Sequence, residues 1–315
     1  MTEFQLIERY FKPLGTTNHR FLVQGNGDDC AVVKPVPGKT LCFSIDTQIE
    51  GVHFPRSAPP ERLAQRALAA AMSDLAAMGA EPAFFTLALT LPHCDASWLA
   101  GFAAGLKVLV DKYQFPLVGG DTTKGPLCIS IQVHGWLAKP PLLRSGAHDG
   151  DVIAVSGTLG DAGAALAMLD KPSSGLNADE ACLLDRYYSP SPRITLGQAL
   201  LPLASSCIDI SDGLLSEAGH IAESSSVAIQ LDSAQIPLSP ALVNVVGLQR
   251  AQQLALTAGD DYELLFTLSP VQWEQLVSTM PSMKLSRIGS VCHGNGVYLD
   301  GRSISPQSGG YRHFE

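Results

Sequence analysis

The stretch FSIDT at residues 43–47 runs from an apolar segment into an aspartate, and the same arrangement returns as LVGGDTT at 117–123 and CIDISDG at 207–213. Each apolar segment has the length of a buried strand. Side chains at the end of a strand are held by a rigid sheet and point into the crevice beyond it, where ligands commonly bind. The pattern therefore predicts sheets with carboxylates gathered at the strand ends.

Strands and helices alternate outward from these stretches. In the first half we expect an amphipathic N-terminal helix carrying Phe4, Ile7, Tyr10 and Phe11, strands at 30–36, 40–45, 84–91, 116–118 and 127–137, and helices from Pro59-Pro60 and over 97–113. A Pro- and Gly-rich connection at 139–151 then precedes a second series, with strands at 152–156, 206–210, 228–231, 264–268 and 285–288 between helices. The sequence predicts a mixed α+β or α/β protein with two domains, residues 1–138 and 149–315.

Composition excludes several classes of protein. The 315 residues include 21 Lys and Arg against 30 Asp and Glu, a net charge of −9, and no basic stripe of the kind that nucleic-acid binders carry. No apolar run reaches about 18 residues, so we expect no membrane span. The first ten residues carry early acids, so we expect no secretory signal and a cytoplasmic protein. Seven cysteines without a C-x-x-C pair favour small buried side chains over disulfides or a zinc site.

Aspartates in Gly-, Ser- or Thr-rich contexts are the main candidates for chemistry. They carry no adjacent Lys or Arg: Asp28, Asp29, Asp46, Asp74, Asp121, Asp209, Asp212, Asp260 and Asp261. Any one of them alone is explained equally well as a turn or helix-cap residue. As a set of hard oxygen ligands they predict a Mg²⁺ site, because several carboxylates converging without a metal would repel one another. No P-loop, G-x-S-x-G or H-E-x-x-H motif is present.

Several ordered motifs resemble those of thiamine-monophosphate kinases, within the wider aminoimidazole-ribonucleotide-synthetase superfamily. They cover nearly the whole chain: GDDCA at 27–31, DTQIEGVHF at 46–54, SDLAAMGA at 73–80, GGDTT at 119–123, RSGA at 144–147, DISDGL at 209–214 and GYRHF at 310–314. The 46–54 stretch and the C-terminal ending are the more specific to the kinases, whereas SDLAAMGA and the D-x-S-D-G core recur across the superfamily.

The resemblance implies ATP-dependent phosphorylation of thiamine monophosphate to thiamine diphosphate, the last step of thiamine diphosphate biosynthesis. It implies an N-terminal mixed-sheet domain that binds ATP and Mg²⁺ and pairs in a homodimer, and a sandwich-like, PurM-like α/β C-terminal domain. It implies several Mg²⁺ ions, ATP as co-substrate, and neither nucleic acid nor membrane as a partner. Metal ligands carried over are Asp29, Ser44, Ile45, Asp46, Asp74, Asp121, Asp209 and Asp212, with Asp46, Asp121 and Asp212 as the catalytic carboxylates. ATP-binding residues carried over are Gly120, Asp121, Arg144 and Ser211. Substrate-binding residues carried over are His53, Asp260 and Tyr311.

The chain departs from the family pattern at three positions. Ile45 stands where many relatives have Thr, so a metal contact there uses the backbone carbonyl. Asp260 stands where Glu is usual, one methylene shorter. Lys124 replaces a common Arg and keeps the charge without the bidentate fork.

Three site residues also have ordinary structural explanations. His53 is either a half-buried strand residue or a donor to the acceptor phosphate. Arg144 is either a solvated linker charge or a partner for an ATP phosphate. Tyr311 either anchors the tail or stacks on the thiamine ring, whose positive charge favours an aromatic face.

Other activities also fit the residues. They are a sister ATP-using enzyme such as an aminoimidazole-ribonucleotide synthetase, a metal-dependent phosphohydrolase, and a non-catalytic regulator that binds ATP and Mg²⁺. A selenophosphate synthetase is another sister enzyme, but it would need a reactive Cys in a Gly-rich N-terminal loop, and Cys30 lacks that context. Dependence of the reaction on the phosphate acceptor separates these alternatives.

Overall fold

In a computed structural model, which describes residues 2–15, 19–171 and 175–305, the chain divides into two units. The first unit is built from residues up to 75 and from 80 to 139, and the second from residues 76–79 and from 140 onward. Each unit has its own sheet.

The first unit begins with short helical turns rather than one regular helix. Helix α1 (Glu3–Leu6) continues directly into a π-helical turn at Ile7–Phe11 and a 3₁₀ turn at Lys12–Gly15. A two-stranded antiparallel ribbon follows, made of β1 (Leu22–Gln24) and β2 (Val32–Val33). The strand expected at 30–36 is therefore wrong in length, because only Val32 and Val33 pair with β1.

A four-stranded mixed sheet forms the body of the first unit, which confirms the mixed N-terminal sheet. Its strands are β3 (Thr40–Ile49), β4 (Glu81–Leu91), β5 (Leu117–Lys124) and β6 (Cys128–Leu137), in the order β3-β6-β4-β5. β4 and β5 are parallel and the other pairs are antiparallel. Parallel neighbours need a long crossover, and helix α3 (Ala96–Tyr113) supplies it, while helix α2 (Pro60–Ala77) precedes β4.

The strand ends differ from the expectation at two of the three decisive aspartates. β3 continues past Asp46 to Ile49, and β5 continues past Asp121 to Lys124, so both aspartates lie inside strands. Polar cross-strand pairs carry the strands onward, such as Thr47 Oγ1 with Ser130 Oγ at 2.8 Å. Of the three, Asp209 alone ends its strand, β8.

The second unit is built around a seven-stranded sheet. Its strands are β7 (Val152–Ser156), β8 (Ser206–Asp209), β9 (Ala228–Leu231), β10 (Leu264–Leu268), β11 (Leu285–Cys292), β12 (Gly296–Leu299) and β13 (Arg302–Ile304). The order is β13-β12-β9-β11-β7-β10-β8, and β12 with β9 is the parallel pair. Every residue of β7 and β10 is buried, as expected for central strands that read as continuous apolar runs.

Helices of the second unit follow the strands closely in sequence. They are α4 (Asp161–Ala165), α5 (Ala178–Tyr188), α6 (Ile194–Leu200), α7 (Leu214–Ser225), α8 (Pro240–Val246), α9 (Leu248–Thr257) and α10 (Pro270–Thr279). Side chains cap the starts of α5, α8 and α10, with complete capping boxes at Asn177 and Ser269 and a hydrogen bond to Ser239 at α8. Leu214, Ala218 and Ile221 of α7 pack into the apolar core around the sheet.

Two sequence expectations concern the chain as a whole. The cysteines are unpaired, as expected, but only Cys207 is fully buried, and Cys30, Cys94 and Cys182 are exposed. The expectation of buried cysteines is therefore wrong for most of them, because small side chains are accommodated equally well in surface turns and helix faces. In the described residues, no helix combines the length and the apolar character needed to cross a membrane.

Gly105 provides a test of the close packing between α2 and α3. A Cβ added there would lie 2.1 Å from the carbonyl oxygen of Glu61, which is backbone and cannot move aside. We expect Gly105→Ala to lower the thermal unfolding midpoint, although Ala is favoured over Gly in a helix by about 1 kcal/mol. Gly101→Ala is the matched control, since its methyl would meet side-chain atoms of Pro60 and Glu61 at 2.9 Å. A higher midpoint for Gly105→Ala than for the wild type, measured by calorimetry, would contradict this packing.

Candidate active site

Two carboxylates meet on one face of the sheet in the first unit. Ser44 and Asp46 are two residues apart on β3 and project to the same face, whereas Ile45 projects to the other and is 62% exposed. Asp74 approaches from α2, and its Oδ2 accepts a hydrogen bond from Ser44 Oγ at 2.5 Å. Burial and the negative charge of Asp74 raise the pKa of Asp46 to about 7. The arrangement disfavours two negative charges and would be stabilised by a cation.

The oxygen atoms at this position fit a Mg²⁺ ion. They are carboxylate and hydroxyl oxygens, which Mg²⁺ prefers. Gln48 extends the row on β3, is 6% exposed, and its Oε1 accepts no hydrogen bond from any described residue. Within the described ranges, no group of three His, Cys, Asp or Glu side chains is arranged to hold a metal ion. Mg²⁺ usually takes one or two carboxylates from a protein and completes its shell with water and substrate phosphates, so a pair of carboxylates such as Asp46 and Asp74 is compatible with this ion.

A cavity of about 450 Å³ lies elsewhere in the first unit and brings together four of the predicted residues, Asp28, Asp29, Gly120 and Asp121. Phe4, Ile7 and Phe11 of the N-terminal turns form an apolar part of its wall. Its polar wall consists of Asn26, Gly27, Asp28, Asp29, Gly119, Gly120, Asp121 and Thr122. Asp29 and Asp121 are both exposed, so the cavity has an acidic rim.

Local backbone geometry fixes the two segments that line this cavity, the loop around Gly27 and the part of β5 around Gly120. Gly27 has a φ of +120°, a conformation that favours glycine. Asn26 donates from Nδ2 to the carbonyl oxygen of Leu117 at 2.9 Å, which ties this loop to β5. A Cβ on Gly120 would lie 2.0 Å from the carbonyl oxygen of Leu87, so the glycine is required by packing against β4.

His53 lies in a turn directly after β3 and not in a strand, which corrects the strand interpretation. Its Nδ1 accepts a hydrogen bond from the backbone N–H of Ile49 at 3.0 Å. In the neutral imidazole the proton is therefore on Nε2, which makes that atom a donor. The side chain is half-buried, so its orientation is fixed while an edge stays accessible.

Acidic residues of the second unit gather after β8. Asp209 ends β8 and is buried, and the backbone N–H of Asp212 donates to Glu217 Oε1 of α7 at 3.2 Å. Burial raises the pKa of Glu217 to about 7; the charge of Asp212 adds to this, while the hydrogen bond from Asp212 and the charge of Arg144 oppose it. Arg144 is exposed and close enough for its charge to act on this group.

Asp260 lies in the segment 259–263, between α9 and β10. Its backbone N–H donates to the carbonyl oxygen of Ser211 at 2.8 Å, so the segment is joined to the loop that carries Asp212. Its Oδ1 accepts from the hydroxyl of Tyr262 at 3.1 Å. Tyr311, the third predicted substrate residue, lies outside the described residues.

Sequence reasoning missed two groups. Glu217 and Glu263 are 2% and 1% exposed. Glu263 directly precedes the apolar strand 264–268, and Glu217 lies one turn after the start of an apolar helix face, so both positions could have marked them as buried acids. For the residues of the apolar cavity wall, the sequence predicts only one face of an amphipathic helix. Nothing in the spacing of Phe4, Ile7 and Phe11 indicates that they line a cavity rather than the core.

Comparisons with known proteins agree with one another. Residues 27–137 match the family model described as AIR synthase related protein, N-terminal domain. The chain is 42% identical, over 320 residues, to the thiamine-monophosphate kinase of Escherichia coli (strain K12), and the match covers 99% of this chain and 98% of the relative.

Two solved structures are similar over the same extent. The crystal structure of thiamine-monophosphate kinase from Stenotrophomonas maltophilia K279a has a TM-score of 0.89 and 40% identity, covering 96% of this chain and 98% of that one. The structure of AaThiL complexed with AMPPCP and TMP has a TM-score of 0.82 and 34% identity, covering 99% and 97%.

The paired carboxylates predict how stability depends on pH. Because folding raises the pKa of Asp46 to about 7, the folded state binds that proton more tightly than the unfolded chain. The resulting stability is present at low pH and is lost as the pH rises through about 7. In metal-free protein we therefore expect Asp46→Asn to raise the unfolding midpoint relative to the wild type more at about pH 8 than at about pH 5.5.

The quantity to measure is the difference in unfolding midpoint between variant and wild type. Glu217 titrates in the same range, and its contribution to the stability of the two proteins is equal and cancels. Asp111→Asn, an exposed carboxylate of α3, is the matched control. A difference for Asp46→Asn that is the same at both pH values would contradict the raised pKa.

Proposed function

The chain belongs to the thiamine-monophosphate kinase family, and from this premise we propose that its aspartates hold Mg²⁺ ions that assist the transfer of a phosphoryl group from ATP to thiamine monophosphate. The products are ADP and thiamine diphosphate. The match to kinases over the whole chain decides against a sister synthetase, a phosphohydrolase or a non-catalytic regulator.

The Asp46–Asp74 pair is the observation that carries the metal assignment. Its carboxylates lie on a strand and a helix that hold them in place, and burial makes their repulsion costly. When bound there, Mg²⁺ neutralises phosphate charge and orients the reacting groups. Ser44 fixes Asp74 by a hydrogen bond, and Gln48 offers a further oxygen on the same face. Ile45 belongs to this set through its backbone carbonyl, since its side chain faces away.

The reaction needs charge neutralisation more than a base. A phosphate monoester has a second pKa of about 6, so at neutral pH the acceptor is already mostly a dianion. Its oxygen can attack without losing a proton, and the obstacle is repulsion between two phosphate chains. His53 is the proposed donor to the phosphate of thiamine monophosphate, because its Nε2–H can donate to a phosphate oxygen while the backbone N–H of Ile49 holds the ring.

The cavity in the first unit is the proposed nucleotide position. Its apolar wall of Phe4, Ile7 and Phe11 suits a purine, and its acidic rim at Asp29 and Asp121 suits metal-bound phosphates. Gly120 allows the backbone to come close to a phosphate, as glycine does in other nucleotide sites. The volume of about 450 Å³ is within the range of small-molecule sites.

The second unit contributes its own set of residues to the proposal. Asp209 and Asp212 are metal ligands in it, Ser211 and Arg144 bind ATP, and Asp260 binds thiamine monophosphate. Support comes from the hydrogen-bonded loops at 209–213 and 259–263, which hold Asp209, Ser211, Asp212 and Asp260 at one end of β8 and β10. Asp260 can receive a hydrogen bond from the aminopyrimidine or face the cationic thiazolium. The role of Tyr311 and the cytoplasmic location stay predictions.

A homodimer formed by the N-terminal sheets is also part of the proposal. β3 is an edge strand of ten residues, and Phe43 and Ile45 on its outward face are 65% and 62% exposed. Leu41 and Ile49 continue the apolar row. A long apolar edge strand invites pairing with another chain, which supports a second copy as the partner.

Asp121→Asn tests the metal and nucleotide assignment. We expect kcat to fall by at least about 100-fold, the usual loss when stabilisation of developing charge is removed from an active site. Thiamine diphosphate and ADP are measured by chromatography with ATP, Mg²⁺ and thiamine monophosphate, and a chelator should abolish both products. Asp111→Asn should keep wild-type turnover. Near-normal turnover of a folded Asp121→Asn protein would refute the assignment.

Phe43→Glu tests the dimer. A charge on the exposed face of β3 should convert a particle of twice the 33.3 kDa chain mass into a monomer in sedimentation velocity. Val108→Glu, at a 50% exposed apolar residue of α3, is the control and should leave the mass unchanged. A wild-type protein that sediments as a monomer would contradict the proposed homodimer.

A further inference from the structure

The segment 259–263 contains two non-glycine residues in the left-handed region. Asp260 has a φ of 70° and Tyr262 a φ of 50°. This conformation is unfavourable for residues with a side chain, and for a bulky residue such as Tyr it is a genuine outlier. Strained backbone of this kind persists only when the surrounding structure holds it, and it is concentrated at functional sites.

Backbone hydrogen bonds hold one side of the segment. Asp260 N–H donates to Ser211 and Tyr262 N–H donates to Ile210, each at 2.8 Å, and Ile210 N–H donates back to Glu263 at 2.8 Å. These bonds set the path of the chain next to the 209–213 loop. The hydroxyl of Tyr262 then fixes Asp260 Oδ1 at 3.1 Å.

The side chain of Glu263 anchors the segment from the other side. It is 1% exposed and accepts hydrogen bonds from Arg186 Nη2 at 2.9 Å, from Nε and Nη2 of Arg193, and from Ser156 Oγ at 2.5 Å. The three partners come from α5, the start of α6 and β7. Burial alone would raise the pKa of Glu263, but the two guanidinium groups and Ser156 bring it below its usual range. The carboxylate is therefore an ionised, fully bonded anchor.

Asp261 adds a second buried attachment. It is 3% exposed, and its carboxylate accepts from the backbone N–H of Gly160 at 2.8 Å and 3.0 Å. Asp261 and Glu263 thus point into the unit, while Asp260 between the 209–213 loop and Asp261 stays only partly buried. The three acids of residues 259–263 are therefore separated into two buried anchors and one partly buried group, Asp260.

We propose that Arg193 is a positioning residue for thiamine monophosphate: by binding Glu263 together with Arg186, it holds Asp260 and Tyr262 in the left-handed conformation that presents Asp260 to the substrate. The inference rests on the proposed role of Asp260 in substrate binding. Arg193 itself does not touch the substrate and acts through the segment. The two hydrogen bonds that the Arg193 guanidinium donates to Glu263 are both needed, because a cation with a single point of contact cannot fix the plane of a carboxylate.

Arg193→Lys is the direct test, since it keeps the buried charge balanced and removes the fork. We expect the KM for thiamine monophosphate to rise by about tenfold, the equivalent of one charge-assisted hydrogen bond. The KM for ATP and kcat should stay within about twofold. Asp151→Asn is the matched control: Asp151 is a buried carboxylate at the opposite end of β7, bonded to Ser205 Oγ. It should lower the unfolding midpoint without changing either KM.

A double-mutant cycle separates this inference from the proposed function. If Arg193 acts through Asp260, the KM of Arg193→Lys with Asp260→Asn should equal that of Asp260→Asn alone. Additive effects would overturn the positioning role, as would an unchanged KM in Arg193→Lys. An unchanged KM in Asp260→Asn would instead remove Asp260 from the substrate site, and the inference with it. If Arg193→Lys does not fold, Glu263→Gln replaces it in the same cycle, with the same outcomes.

Discussion

The repulsion between Asp46 and Asp74 is the constraint on which the rest of the proposed site depends. A strand and a helix hold the two carboxylates together in a half-buried position, at the expense of the stability of the metal-free protein. Such an arrangement is maintained only if something neutralises it. In a kinase that joins two phosphates, cations bound at the proposed site would reduce the repulsion in the protein and in the substrates alike. Protein stability and phosphoryl transfer are therefore coupled through the same charges.

In the second unit, a buried charge is instead balanced by residues of the protein itself. Glu263 is more deeply buried than Asp46, yet two arginines and a serine satisfy it within the chain. It needs no ligand, and it serves as an anchor for a strained segment. The contrast gives a physical basis for sorting the many acids of this sequence. Acids that are paired with arginine hold the backbone in place, and acids that repel one another are the candidates for cation ligands.

The fold was largely predictable because apolar runs, proline and glycine mark most helices and strands. Strand ends were less predictable, since Thr47 and Thr122 carry β3 and β5 onward by cross-strand pairing that no local pattern reveals. The candidate acids could be named from motifs, but their roles could not. That Asp74 meets Asp46, or that Glu263 meets Arg193, depends on contacts between residues 28 and 70 positions apart. The cavity behind Phe4, Ile7 and Phe11 likewise arises only in three dimensions.

The ¹³C chemical shift of the Asp46 carboxyl carbon tests the central claim most directly. It is followed in metal-free protein from about pH 4 to about pH 9, and again with Mg²⁺ and a non-hydrolysable ATP analogue, with Asp46→Asn to assign the signal. The account predicts a midpoint of about 7 without metal. With Mg²⁺ and nucleotide, the carboxylate should stay ionised down to about pH 5. A midpoint near the ordinary Asp value of about 3.9 in both conditions would contradict it.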